Sequence, residues 1–331
     1  MKKFLSVMAS ALLLAVCVPF SACDNREKIL IYTSCEDYTM EYLDECMKKN
    51  FPDYKVEIEY MATNNIAARV IEEGESSDCD IIFAQEYGYL AQMANAGVLA
   101  KLADLYDYSV YLEDTLESDA KDYLLPALRV GGGVIINNNV LQRERLEKPT
   151  SYSDLLDEKY KGLVSMPSPK SSGTGYMFYL SLVNEMGEAA ALEYFDNLTP
   201  NVLAYTTSGS GPVNALVSRE AAVGFGMLSQ AVEKINSGVN ELEILFFDEG
   251  APFNLYGNAI VKGKENRSAV KEVMDYLYST FTDAVCAKFY PEPVLKDKQY
   301  TLPNFPKNIN YSDMKNNTLT RKEDLLAKWK N

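Results

Sequence analysis

The stretch KILIYTSCEDYTMEYLDECMKKNFPDYKVEIEY, residues 28–60, decides how the chain is read. Lys28 to Ser34 form an aliphatic, β-branched run of strand length. From Asp37 to Asn50 the apolar side chains Tyr38, Tyr42, Leu43 and Cys46 recur at helical spacing. Val56, Ile58 and Tyr60 then alternate with charged residues, the period of a second strand. Further on, NNIAARVIEEG reads as a helix capped by Asn64 or Asn65 and stopped at Gly74. CDIIFAQ reads as a buried strand, with a helix after it from about Tyr87 to Ala96 that ends at Gly97. Three strands separated by helices predict a parallel sheet with right-handed crossovers.

The character changes past RVGGGVIINNN, itself a predicted strand. SYSDLLDEKYKG is predicted as a short helix, and a second βα set follows. Its strands are LVSMP, NVLAYT and AAVGFGM; its helices are TGYMFYLSLVNEMG, EAALEYFDNL, GPVNALVSRE and LSQAVEKINSG. LEILFFDEG and NLYGNAIVKG run back through strands, and SAVKEVMDYLYSTFTDAVCAKF is one long amphipathic helix. The tail beyond Pro291 is polar and carries the only tryptophan, Trp329. The expected architecture is α/β with two lobes: residues 28–136 in the first, 137–248 in the second, and 249–331 returning to the first. Strands near Gly131 to Asn138 and Phe247 to Gly257 would cross between them as hinges.

At the amino end, Met1-Lys2-Lys3 precedes an uncharged apolar run, Phe4 to Phe20, then the small pair Ser21-Ala22 and Cys23. A basic region, an apolar core and a cleavage region make residues 1–22 a secretory signal. FSAC resembles the bacterial lipoprotein box, with Phe20 in place of the usual aliphatic residue. That resemblance implies lipidation of Cys23, with residues 23–27 as a linker and the protein held at a membrane face outside the cytoplasm.

Absences exclude whole chemistries. The chain has 32 Lys and Arg against 47 Asp and Glu, a net charge of −15, which disfavours nucleic acid as a partner. It contains no histidine, so Ser-His-Asp, Cys-His and imidazole–metal sites are all ruled out. It has no G-x-S-x-G and no phosphate-loop motif; the glycines at 131–133 lead into a strand. Cys35, Cys46, Cys79 and Cys286 match no zinc spacing, and disulfides or buried thiols both fit them. No catalytic residue, cofactor or resident metal is indicated. An extracytoplasmic lipoprotein hydrolase using a carboxylate pair or Ser-Lys is the rival class, without a recognisable motif to support it.

Several longer stretches carry a family resemblance. The segments ILIYTSCEDYTMEYLDECMKKNFPDYKVEIEYM, ESSDCDIIFAQEYGYLAQMANAGVLAKL, YKGLVSMPSPKSSGTGYMFYLSLV, EAAVGFGMLSQAV and NAIVKGKENRSAVKEVMDYLYS span Lys28 to Ser279. Together they resemble the extracellular solute-binding proteins of bacterial ABC importers, in the cluster that binds ferric iron, organophosphates or phosphonates, thiamine and polyamines. The resemblance implies a type II periplasmic-binding-protein fold, a monomer that closes on a small solute and hands it to a permease and its ATPase.

In open α/β sheets, ligands sit beyond the carboxyl ends of strands. That rule selects Thr33, Ser34 and Glu36 after the first strand, Asn64 after the second, and Glu86 and Tyr87 after the third. In the second lobe it selects Ser171, Ser172, Gly173 and Thr174, then Ser208, Gly209 and Ser210, then Met227; Tyr256 lies on the return strand. SSGTG and SGSGP both offer hydroxyls, glycines and free N–H groups at a helix start, which favours an anion. Where ferric binders of the cluster carry adjacent tyrosines, this chain reads Met227-Leu228-Ser229-Gln230. An organophosphate or phosphonate, anionic or zwitterionic, is therefore expected ahead of a polyamine, thiamine or ferric iron.

Overall fold

A computed structural model describes residues 25–331. The leader and Cys23, on which the secretion and lipidation expectations fall, lie outside the described residues. Strands β1 (Glu27–Thr33), β2 (Tyr54–Tyr60) and β3 (Ile81–Glu86) pair in parallel, β1 between the other two. Helices α1 (Asp37–Asn50) and α2 (Thr63–Glu73) cross between them, and α3 (Tyr87–Asn95) follows β3. β4 (Leu125–Asn137) leads through α4 (Asn138–Glu144) to β5 (Val164–Pro167), α5 (Gly173–Met186) and α6 (Glu188–Leu198). Then come β6 (Val202–Thr206), α7 (Gly211–Val217), β7 (Val223–Met227), α8 (Leu228–Asn236) and β8 (Leu242–Leu245). β9 (Phe253–Ile260), α9 (Ser268–Tyr276), α10 (Thr282–Phe289) and α11 (Leu319–Lys328) complete the chain.

Two lobes result because one strand serves two sheets. Leu125 to Gly131 of β4 run antiparallel to β9, which also pairs with β3. Gly132 to Asn137 of the same strand run antiparallel to β7 and to β8. The chain crosses back through residues 246–252, between β8 and β9. Each lobe has its own core: Ile31, Leu43, Phe83, Val273 and Phe281 in the first, and Ile136, Tyr176, Phe178, Phe195 and Phe225 in the second. The switch between sheets falls at Gly132, whose N–H donates to Pro252 O at 2.7 Å. A Cβ there would lie 2.6 Å from Met177 Cε and 3.0 Å from Pro252 Cγ, so a side chain would press on α5 and on the second crossing where they meet.

Local readings needed correction where short polar side chains compete for the backbone. Asn137 accepts from the N–H groups of Asn139 and Val140, so the asparagine run starts α4 instead of prolonging β4. SYSDLLDEKYKG forms two 3-10 turns, Ser153–Leu156 and Glu158–Tyr160. There Asp154 Oδ2 accepts from Thr150 N and Ser151 N at 2.7 and 3.1 Å, bonds that hold a turn and not a helix. α2 begins at Thr63 behind Ala62, without a side-chain cap from Asn64 or Asn65. The long helix is interrupted by a π turn, Leu277–Phe281, between α9 and α10. Cys35, Cys46, Cys79 and Cys286 are free thiols. Among the described residues no helix is long and apolar enough to cross a membrane.

The C-terminal helix does not simply return to the first lobe. Leu325 and Trp329 are buried in the second lobe's core, where the Trp329 ring meets Tyr179, Phe195 and Tyr205 edge-on. Leu319, at the other end of α11, packs on the first lobe against the cluster that holds Tyr87 and Leu90. An aromatic tail residue goes where a large apolar pocket exists, whatever lobe precedes it in sequence.

Candidate functional site

Where the lobes meet, strand ends from both converge on one cavity. The first lobe supplies Ser34, Cys35 and Glu36 between β1 and α1, Tyr60, Ala62 and Thr63 between β2 and α2, and Ala84 of β3. Leu128, Val130, Tyr256 and Tyr290 form its floor from β4, β9 and the residue after α10. The second lobe contributes Ser171, Ser172, Gly173 and Thr174 at the start of α5, Thr207, Ser208 and Gly209 before α7, and Met227 at the end of β7.

The lobes are closed on each other. Thr63 Oγ1 donates to Ser171 O at 3.0 Å and accepts from Gly173 N at 3.3 Å. Tyr89 OH reaches Lys170 O at 3.2 Å, and Tyr38 OH reaches Ser229 Oγ at 3.4 Å. Asn254 Nδ2 donates to Gly173 O at 2.8 Å. Between them the space open to the centre of a water molecule is about 30 Å³.

The second-lobe wall is built as a helix start. Ser172 is the N-cap of α5, its Oγ accepting from Gly175 N at 3.4 Å. The buried Ser171 Oγ has no hydrogen-bond partner in the protein. The facing loop touches this start: a Cβ on Gly209 would lie 2.4 Å from Thr174 Oγ1. Gln230 Nε2 holds that loop through Ser210 O and Asn214 Oδ1 at 3.2 and 3.1 Å.

In the first lobe Glu36 occupies the N-cap position of α1 without capping it, which leaves its carboxyl turned to the cavity. Tyr290 OH donates to Glu36 Oε2 at 3.0 Å and exchanges a 2.9 Å hydrogen bond with Thr39 Oγ1. Burial pushes the Glu36 carboxyl up to about 7, the Tyr290 bond opposing the shift. Burial likewise raises the Cys35 thiol and the phenols of Tyr38, Tyr256 and Tyr290 above their ordinary ranges. Ala84 is held at φ 48° inside a bulge of β3, its N–H bonded to Asn258 Oδ1 at 2.9 Å. No Lys or Arg is among the described residues that line the cavity.

A family model described as "Bacterial extracellular solute-binding protein" matches residues 77–321, well over half of the chain. The chain belongs to this family. Ligands of open α/β sheets lie beyond the carboxyl ends of strands, and such ends from both lobes wall this cavity. A Haemophilus influenzae relative, described as an uncharacterized protein, is 26% identical over 341 residues, 98% of this chain and 96% of its own length. Two solved structures share the fold at a TM-score of 0.81, and both cover 92% of this chain. One is the periplasmic binding protein P5PA, 22% identical and covered over 98% of its length. The other is the periplasmic binding protein AfuA from Actinobacillus pleuropneumoniae, solved with exogenous fructose-6-phosphate bound, 23% identical and covered over 97%. This solute-binding protein therefore has the two-lobed fold of type II periplasmic binding proteins, the receptors that serve ABC importers.

Of the residues selected from sequence, Ser34, Glu36, Ser171, Ser172, Gly173, Thr174, Ser208, Gly209, Met227 and Tyr256 line the cavity. The other five do not. Thr33 is fully buried and accepts from Cys35 N at 3.2 Å. Asn64 sits in the first turn of α2, behind the wall that Thr63 makes. Glu86 is fully buried as the N-cap of α3, taking the N–H groups of Gly88 and Tyr89 and the ammonium of Lys322. Tyr87 OH is spent on Thr115 O at 2.7 Å. Ser210 stands behind Ser208, hydroxyl to hydroxyl at 2.5 Å. Sequence reasoning missed Tyr60, Ala62, Ala84, Leu128, Val130 and Tyr290 as wall residues. Tyr60 and Ala84 could have been found from their places at strand ends, whereas nothing local in FYPEP marks Tyr290.

Proposed function

We propose that the cavity receives a small anionic solute, an organophosphate or phosphonate, which the protein delivers to its ABC importer by closing and opening the cleft. The observation that carries this reading is the wall made by Ser171, Ser172, Gly173 and Thr174. It offers hydroxyls at the start of a 14-residue helix, with Ser171 Oγ unpartnered, and parting of the lobes releases the Gly173 N–H that Thr63 Oγ1 holds in the closed form. Glu36 fits beside an anion because its raised pKa keeps much of it protonated near neutrality, so that it donates a hydrogen bond where a carboxylate would repel. With no Lys or Arg in the wall, the charge is met by N–H and O–H dipoles alone. The fructose-6-phosphate bound in AfuA supports a phosphate ester as the class. The solute enters with the lobes apart, and closing of the lobes over it then encloses it.

Attachment through Cys23 to a membrane face, and a monomeric state, belong to the same reading; loss of palmitate labelling in Cys23→Ser is the check on the anchor. The solute is tested by thermal shift and calorimetry with inorganic phosphate, fructose 6-phosphate, 2-aminoethylphosphonate, thiamine, putrescine and ferric citrate. A phosphate or phosphonate compound is expected to raise the melting temperature, and Ser171→Asp to weaken its binding by tenfold or more through like charge at the helix start. Stabilisation by thiamine, putrescine or ferric citrate alone would remove the anion reading.

A further inference from the structure

The most deeply buried ion pair among the described residues lies outside the cavity, in the seam between the lobes. Lys322 of α11 is 2% exposed, and its ammonium is paired with Glu86, which is 0% exposed. The same ammonium lies 3.7 Å from the ring centre of Tyr89 and 4.6 Å from that of Tyr176. Glu86 and Tyr89 belong to the first lobe and Tyr176 to α5 of the second, so this cage is complete only when the lobes are together. Burial pushes the Lys322 ammonium below the ordinary lysine range, and the Glu86 carboxylate pulls it back.

The C-terminal half of α11 fastens this lysine to the second lobe, while Leu319 at its start packs on the first. Leu325 and Trp329 are buried in the second lobe, Tyr179 OH donates to Leu325 O at 3.2 Å, and Lys328 pairs with Glu188 of α6 at 2.7 Å. Glu86 is also next to the site itself: a Cβ built on Gly173, the first residue of α5, would be 3.0 Å from Glu86 Cγ.

We infer that Lys322 is a positioning residue of the solute site, a clasp on the C-terminal helix that joins Glu86 of the first lobe to Tyr176 of the second and so sets how readily the cleft closes. Opening draws Tyr176 away from the Glu86–Tyr89 side and exposes the pair to water. The clasp therefore adds to the closed population, and apparent solute affinity scales with that population. The inference rests on reading the cleft as the solute site, and the two are tested by separate measurements.

Small-angle X-ray scattering on the solute-free protein reports lobe separation, calorimetry with fructose 6-phosphate and inorganic phosphate reports affinity, and melting reports stability. Lys322→Met is expected to enlarge the radius of gyration and to weaken whichever probe binds by about tenfold. It also leaves Glu86 buried and unpaired, so the double variant Lys322→Met with Glu86→Gln is measured beside it. The double variant should regain most of the lost melting temperature yet keep the wider separation and the weaker binding. A double variant with the wild-type radius and affinity would overturn the clasp, because the single variant's opening would then be only the strain of an unpaired charge. Wild-type radius in both variants would overturn it too. If neither probe binds the wild-type protein, the choice of solute fails while the scattering still decides the clasp.

Discussion

Glu36 illustrates at the level of one residue how the proposed anion site is reconciled with an acidic protein. Its neighbours are the Cys35 thiol, the Asp37 carboxylate and the phenols of Tyr38, Tyr256 and Tyr290, and no cation lines the cavity to favour its charged form. With a pKa near 7 in the folded protein against an ordinary 4.5, the folded state holds a proton that the unfolded chain has released. Stability from this group therefore falls as pH rises from about 4.5 to 7, and the full cost stands above 7. Glu36→Gln should be more stable than the wild type at pH 8, by on the order of 1 to 3 kcal/mol, and indistinguishable from it at pH 4. Melting curves across that range check it; a gain that is the same at every pH would place the effect elsewhere.

Among the elements, the start of α5 and the loop before α7 form one surface only because Gly209 has no side chain. Its missing Cβ is the space that Thr174 Oγ1 fills, and the loop carries Ser208 to the cavity edge. Gly209→Val should cost about 1–3 kcal/mol by overpacking, since the loop can move outward, while lowering affinity for the solute at least tenfold. Chemical denaturation and calorimetry on the same preparation separate the two effects. SSGTGYMFYLSLV was legible as a capped helix because Ser172 and the apolar run are local signals. Its equivalence with SGSGP was less close than the sequence suggested: α5 has a capping serine and 14 residues, whereas α7 has seven residues and no side-chain cap.

At the scale of the molecule, α11 bridges the lobes that β4 and the 246–252 crossing connect. Trp329 anchors it, 2% exposed against three aromatic rings. Trp329→Ala should lower stability by about 3–5 kcal/mol and, by loosening the helix that carries Lys322, also weaken solute binding. Denaturant unfolding followed by circular dichroism gives the first number and calorimetry the second; lost stability with unchanged affinity would mean that α11 serves the second lobe alone.

The alternation of strand and helix periods and the glycine and hydroxyl clusters at strand ends were enough, read locally, to specify two α/β lobes and much of one cavity wall, while the receptor reading came from the resemblance to the solute-binding family. These features depend on neighbours within a few residues, which a sequence displays directly. Tertiary structure alone decided that Glu86 is consumed by Lys322, 236 residues away, and that Tyr290 meets Glu36 across 254 residues. A buried carboxylate takes whichever donor the packed chain brings to it, and that pairing is set by the closing of two lobes and not by any nearby motif.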